Sequence, residues 1–334
     1  MPFRDVVGHR RLISLLRRSI AGGTLPPSLL FAGPSGIGKR TTAVALAQAL
    51  NCLAPRDGDA CGECAACRRI ARGVHPDVSI VEPVETGVIR TDQVRVFIER
   101  ATYRPFEGNR RVVIVDAADT LMEQAQNALL KTLEEPSPSS VFVLVTSRPD
   151  VLLPTVRSRC PQLRFRPLSP ADIAAALIGR GMPEQEAHAI AAAANGSVGD
   201  ALAAAGGEHL EARHIAQQVL VHAAAQPDPA RRIELAKELL TGTGAGGAAD
   251  REQLSTYLRA MASLLRDVEL LATGAGESGL ANPDARQALE RLTTAYRRER
   301  GVRAFAAVDE ALVALAPPRN AGVKIVADWV VLQL

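Results

Sequence analysis

Gly33-Pro34-Ser35-Gly36-Ile37-Gly38-Lys39 is the stretch from which the rest of this chain is read. It fits GxxxxGK, follows a short apolar run from Ser28 to Ala32, and precedes a helix-forming stretch from about Lys39 to Leu50. A strand, a glycine-rich turn and a helix in that order make a phosphate-binding loop. The glycines let backbone N–H groups converge on phosphate oxygens, and the helix N-terminus adds favourable partial charge. Lys39 then reaches the outer phosphates. The chain holds only four lysines (Lys39, Lys131, Lys237 and Lys324) against 35 arginines, so a position that kept a compact ammonium is informative. The bland alternative is a strand-to-helix turn with no ligand.

Apolar runs recur at Val78 to Val81, Arg111 to Asp116 and Val141 to Thr146. Helix-like segments separate them at Thr91 to Ala101 and Thr120 to Glu134, the second stopped by Pro136. Strand-length apolar runs alternating with helices imply the α/β class, a parallel sheet covered on both faces. Beyond Pro167 the strands vanish. Ser169-Pro170-Ala171-Asp172 is a helix start, and Ala-rich helices follow to about Ala205, broken at Asn195-Gly196. Thr241 to Ala249 reads as a connector, and Leu254, Tyr257, Leu258, Met261, Leu264, Leu265 and Val268 mark one helical face. The expected organisation is a nucleotide-binding domain over 1–167, a small helical lid over 168–207 and an all-helical domain over 208–334.

Hydrophobic residues make up 47% of the 334, yet no run approaches the ~18 apolar residues that cross a bilayer. Met1 to Asp5 also lacks a signal-peptide layout, so the expectation is a soluble, cytoplasmic protein with no membrane partner. A net charge of +3 permits nucleic-acid contact without arguing for it. Aromatic residues are only 3%, which argues against an aromatic platform for single-stranded bases.

The loop lacks parts that a hydrolysing site needs. Arg40 stands where Ser or Thr would hold Mg²⁺. Thr41 and Thr42 follow, but one step along a helix turns a side chain by about 100°. Asp116, at the end of a buried strand, suits the carboxylate that supports the metal, or simply ends the strand. Ala117 follows it, where hydrolysing sites carry the Glu that polarises water, and Asp119 reads as a helix cap. Nucleotide binding without turnover is the expectation.

Four of the five cysteines, Cys52, Cys61, Cys64 and Cys67, crowd into sixteen residues. Four soft thiolates satisfy a closed tetrahedral Zn²⁺ site with no open position for water, hence a structural one. Gly58, Gly62 and Gly73 allow the tight turns. Disulfides or free thiols are the alternatives, and His75 reads as an exposed loop histidine rather than a ligand. Cys160 stands apart and reads as packed.

From Thr91 to Arg166 the sequence resembles the bacterial clamp-loader ATPases, an AAA+ family. Asn127-Ala128-Leu129-Leu130-Lys131-Thr132-Leu133-Glu134-Glu135-Pro136 is similar to the family's helix after the Walker B strand, and Ser158-Arg159-Cys160 to its SRC motif. Val141 to Thr146 is similar to the strand ending in the sensor-1 polar residue, and Phe3 to His9 to the segment framing adenine. The likeness is strong over roughly residues 1–205. It implies an AAA+ P-loop domain with a zinc-module insert at 52–73, then a helical lid and an all-α carboxy-terminal collar.

Within the family the chain resembles the delta-prime type rather than the motor gamma/tau type. The Walker departures favour this, as does Gly199 after Gly196-Ser197-Val198, where motor subunits carry the sensor-2 Arg. So does the want of a long tau-type extension. The resemblance implies ATP or ADP held weakly or without hydrolysis, at Gly33, Gly36, Gly38, Lys39, Thr41, Asp116 and Thr146. It also implies Arg159 as an arginine finger acting in trans, with Arg157 as its nearest rival. The implied partners are the motor and delta subunits, the sliding clamp indirectly, and primed DNA, which Arg90, Arg95 and Arg100 could face as readily as they face solvent. The rival readings are an ATP-hydrolysing gamma/tau-type subunit and a zinc-dependent DNA-binding protein with a vestigial AAA+ core.

Overall fold

β4 (Ser140–Thr146) is buried along its whole length and lies at the centre of a five-stranded parallel sheet. The others are β1 (Ser28–Ala32), β2 (Val78–Val81), β3 (Arg111–Val115) and β5 (Gln162–Arg164), in the order β2-β3-β4-β1-β5. Around them run α1 (Arg10–Ala21), α2 (Lys39–Asn51), α3 (Ala65–Ala71), α4 (Thr91–Thr102), α5 (Glu123–Glu134) and α6 (Pro154–Arg159). The structure is a computed structural model and describes residues 1–84, 87–205, 208–226, 228–240, 247–274, 280–282, 285–316 and 319–334.

Successive side chains of a strand point to opposite faces, and the two faces carry separate cores. On one, Leu29, Phe31, Val112, Ile114, Val141 and Val143 meet Ile13 and Leu16 of α1 and Ala43, Leu46 and Ala47 of α2. On the other, Leu30, Val113, Val115, Phe142 and Leu144 meet Val94 of α4, Leu129 and Leu133 of α5, and Val156. The expected α/β class and strand positions are those found. Two local expectations need correction. The helix expected from Thr120 begins at Glu123, after a 3₁₀ turn at Ala118–Thr120. Its first turn is diverted because the backbone runs extended at Leu121 to bridge Ile89, whose N–H bonds the Thr120 carbonyl at 3.0 Å. β5 was not anticipated.

The chain divides into two compact units, Met1–Asp172 with Gly196–Gly199, and Ile173–Asn195 with Asp200–Leu334. Helices α7 (Pro170–Ile178), α8 (Glu184–Ala193) and α9 (Val198–Ala205) follow the sheet, and the Ser169 hydroxyl accepts the Asp172 N–H at 3.1 Å to cap the first. The second unit continues with α10 (Glu208–Ala225), α11 (Pro229–Leu239), α12 (Ala248–Thr273), α13 (Arg286–Leu292), α14 (Glu299–Leu315) and α15 (Val323–Gln333). All seven apolar residues picked from the sequence between 254 and 268 are buried on α12, packed with faces of α10, α14 and α15. Two buried polar side chains find partners here: the Tyr296 hydroxyl donates to the Leu220 carbonyl, and Asp267 accepts the N–H groups of Ala281 and Asn282. Most of the connector expected at 241–249 lies outside the described residues.

Candidate nucleotide and metal sites

The phosphate loop joins β1 to α2. Gly33, Gly36 and Gly38 have φ values of 155°, 72° and 94°, left-handed conformations that favour glycine. Lys39 is buried, and its ammonium donates to the carbonyls of Gly33 and Pro34. Burial lowers its pKa to about 8, against the opposing pull of Asp119 and Asp116. Thr41 is half-buried on the next step of α2. The hydroxyl that bonds the loop belongs to Thr42 and donates to the Gly38 carbonyl at 2.8 Å.

Arg40 fills the position beside the loop with a guanidinium. Its Nη1 lies 3.3 Å from Asp116 Oδ2 and its Nη2 pairs with Glu82 Oε1, so two carboxylates at the ends of β3 and β2 close on one cation. Burial raises the Asp116 pKa, with Arg40 and the Ala117 N–H pulling the other way. Ala117 has a φ of 50°, unusual for a residue with a side chain, and brings only a methyl group.

Asp119 is not the helix cap the sequence suggested. It is nearly buried and accepts from the Thr146 hydroxyl at 2.9 Å and from Arg148 Nε at 3.1 Å. The Arg148 N–H in turn donates to Thr146 Oγ1 at 3.0 Å. Gly199 donates its N–H to the Gly36 carbonyl at 2.8 Å, and a Cβ there would stand 3.1 Å from Gly36 Cα. The fold thus gathers the loop, Asp116, Thr146 and Gly199 beyond the carboxyl ends of the strands. His9, from the segment expected to frame adenine, joins them through a bond from Nε2 to the Ile37 carbonyl at 2.8 Å.

Arg159 ends α6. Its Nη1 donates to the Thr155 carbonyl at 2.8 Å and its Nη2 pairs with Glu134 at the end of α5. These partners lie outside the phosphate loop. Arg157 pairs with Asp150 at 2.9 Å. Cys160 is packed with Leu129, Leu133 and Val156, and burial pushes its thiol up to about 11. Arg90, Arg95 and Arg100 are exposed.

The four cysteines converge, with all Sγ atoms within 4.8 Å of one another. The N–H groups of Cys61, Cys64 and Cys67 donate to the sulfurs of Cys52, Cys61 and Cys64 at 3.2, 3.3 and 3.4 Å. Such bonds favour thiolates, and the N–H groups of Cys64 and Glu63 draw the Cys61 pKa down to about 6. Four convergent sulfur donors fit a metal ion. His75 is neither a ligand nor exposed. It is buried, its Nε2 is 3.5 Å from Glu107, and its Nδ1 accepts the Asp77 N–H.

Two buried aspartates escaped the sequence reading. Asp59 accepts the N–H groups of Phe3 and Ala60 at 2.8 Å and of Arg4 at 3.2 Å, while the Arg4 guanidinium donates to the Ala60 and Cys61 carbonyls. Asp77 accepts the N–H groups of Phe106, Glu107 and Gly108 and a bond from Arg111. Despite burial, these bonds hold the Asp77 carboxyl below the usual range. Most of the N–H groups that either accepts lie about 30 or more positions away, so no local pattern marks them in the sequence.

Residues 8–169 match the sequence model of the family described as DNA polymerase III, delta subunit. The chain is 40% identical to the DNA polymerase III subunit delta' of Pseudomonas aeruginosa over 187 residues, 56% of this chain and 54% of that one. It is 35% identical to the delta' subunit of Bacillus subtilis over 181 residues, 54% of each. It is also 35% identical to the gamma/tau subunit of Mycobacterium bovis over 175 residues, 52% of this chain and 30% of that one. The alignments thus span about half the length of the delta' relatives. Among the described residues no helix is long and apolar enough to cross a membrane. Over residues 8–169 the chain is thus similar to DNA polymerase III clamp-loader subunits of both the delta' and the gamma/tau kind.

Proposed function

We propose that this chain is the delta-prime-type subunit of the clamp loader, a stator that does not turn over ATP itself and lends Arg159 to the ATP site of a neighbouring motor subunit. The observation that carries the reading is Arg40, whose guanidinium holds Asp116 and Glu82 where a hydrolysing site would hold a metal. Ala117 offers no group to orient water, and Gly199 none to touch a γ-phosphate. Arg159, by contrast, keeps its guanidinium 32% exposed at a helix end, within reach of a partner. A fixed cation on the spread charge of phosphoryl transfer is worth roughly 10³ to 10⁵ in rate.

In this reading the cysteine cluster holds a structural Zn²⁺, and the helices beyond 208 form the collar that joins motor and delta subunits. The lid over 168–207 and the boundaries at 167 and 207 belong to the same proposal. The assembly acts on the sliding clamp and primed DNA in the cytoplasm.

The test is ATPase turnover of a complex reconstituted with motor and delta subunits, clamp and primed DNA, comparing wild type with Arg159→Ala. The chain alone should be inert, and Arg159→Ala should cut turnover by about tenfold or more while assembly survives. Turnover by the chain alone, or an undiminished Arg159→Ala complex, would overturn the proposal.

A further inference from the structure

Loss of the metal-binding hydroxyl is usually read as loss of the ligand, but the surroundings of Arg40 support a different outcome. We infer that the phosphate loop takes a nucleoside diphosphate without a divalent cation, with Arg40 as its built-in counter-ion. This rests on residues 33–39 being a phosphate loop and not on any role of Arg159.

The cradle for the inner phosphates is complete. Gly33, Gly36 and Gly38 hold positive φ angles that favour glycine in a loop of this kind, and α2 starts directly behind them. Lys39 is 7% exposed, and its ammonium lies on the loop's own carbonyls at Gly33 and Pro34. A phosphate entering the loop needs only to draw that ammonium a short way.

The metal's work falls to Arg40. In a metal-dependent site a divalent ion neutralises the acids at the strand ends and bridges the phosphates. Here a guanidinium in the first turn of α2 neutralises Asp116 and Glu82. It has five N–H donors in a planar fork that suits phosphate oxygens, of which the two acids engage one on each terminal nitrogen. A divalent ion would have to displace it from both carboxylates.

The outer-phosphate side is closed to a third phosphoryl group. The Thr146 hydroxyl donates its hydrogen bond to Asp119 and accepts the Arg148 N–H, so it has no donor left for a γ-phosphate. The Asp119 carboxylate holds the Arg148 guanidinium at 3.1 Å as well. Gly199 contributes no side chain, its N–H is engaged with Gly36, and a larger residue would press on the loop backbone. A diphosphate uses what is present; a γ-phosphate finds the Thr146 hydroxyl proton engaged with Asp119 and no side chain at Gly199.

The experiment is calorimetric titration of the full chain with ADP and ATP, in magnesium-free buffer and with added Mg²⁺. Magnesium is left out rather than chelated, so that the cysteine cluster keeps its ion. ADP should bind with a Kd that changes less than about twofold with Mg²⁺, and ATP should bind about tenfold more weakly. Arg40→Thr should make ADP binding about tenfold weaker without Mg²⁺ and restore it when Mg²⁺ is added. Unchanged melting and circular dichroism would establish that the variant is folded; the wild-type titrations need no variant. Absence of ADP binding, a requirement for Mg²⁺, or equal affinity for ATP would overturn the inference. Each result is separable from the Arg159→Ala assay, because the trans-acting finger needs no nucleotide in this chain's own loop.

Discussion

Helix α2 has a candidate ligand site at each end, and the two ends differ in which groups they carry. At its start the phosphate loop keeps its glycines, but Arg40, with Ala117 after β3 and Gly199 in α9, stands where a hydrolysing site needs a hydroxyl, a carboxylate and a cation. At its finish it delivers Cys52 into a cluster that keeps all four thiols. Gln48, one turn before Cys52, braces the finish by donating to the Cys67 carbonyl at 2.7 Å. The difference teaches that catalytic groups and scaffolding groups are separable on one helix. The groups replaced at the start touch ligand and water, whereas those at the finish hold backbone.

The comparison breaks first at the cysteine end. Stripping metal from the purified chain, or Cys67→Ser, should disorder the insert, since structural zinc sites contribute apparent free energies of roughly 10–16 kcal/mol. Hydrogen exchange should show deprotection of residues 52–72, with the β4 amides still protected; full protection without metal would remove the scaffolding role. A smaller effect is expected at Asp59. Asp59→Ala leaves the buried N–H groups of Phe3 and Ala60 without their acceptor, at about 1–3 kcal/mol for each buried group left unsatisfied. Chemical denaturation should show the loss, with exchange at Phe3 and Arg4 rising most. The smallest effect is expected at the phosphate end. Arg40 is 52% exposed, so its ion pairs are screened and Arg40→Thr should shift unfolding free energy by no more than about 1 kcal/mol. A large loss there would mean that the start of α2 is scaffolding too.

Legibility in the sequence followed the same division. β1, β3 and β4 could be read because each is an apolar run largely buried on both faces, β2 because Val78, Ile80 and Val81 are apolar though half the strand is only partly buried, and the loop glycines because their spacing is fixed by phosphate geometry. β5 could not: Gln162, Leu163 and Arg164 are exposed or half-buried at the sheet edge and carry no apolar pattern. The cysteine spacing announced its cluster. The partners of Arg40 did not announce themselves, because Glu82 lies 42 positions away in a loop and only the ends of β2 and β3 bring the acids together. Asp119 and His75 were misread for a related reason. Each looks like a surface residue by its neighbours, and each is buried by one distant partner, Thr146 in the first case and Glu107 in the second. Sequence patterns report a residue's own element well and its cross-element bonds poorly.

The strand order sets a timetable for synthesis. β1 pairs only with β4 and β5, so the first strand made finds no neighbour until roughly 100 further residues have emerged, several seconds or more at about 5–20 residues per second. The four cysteines all lie between 52 and 67 and are complete long before β4. On the ribosome, therefore, the cysteine cluster is available to close, with the metal proposed for it, and set the end of α2 while the sheet is still open. The nascent chain then has one fixed point to fold against before its centre exists.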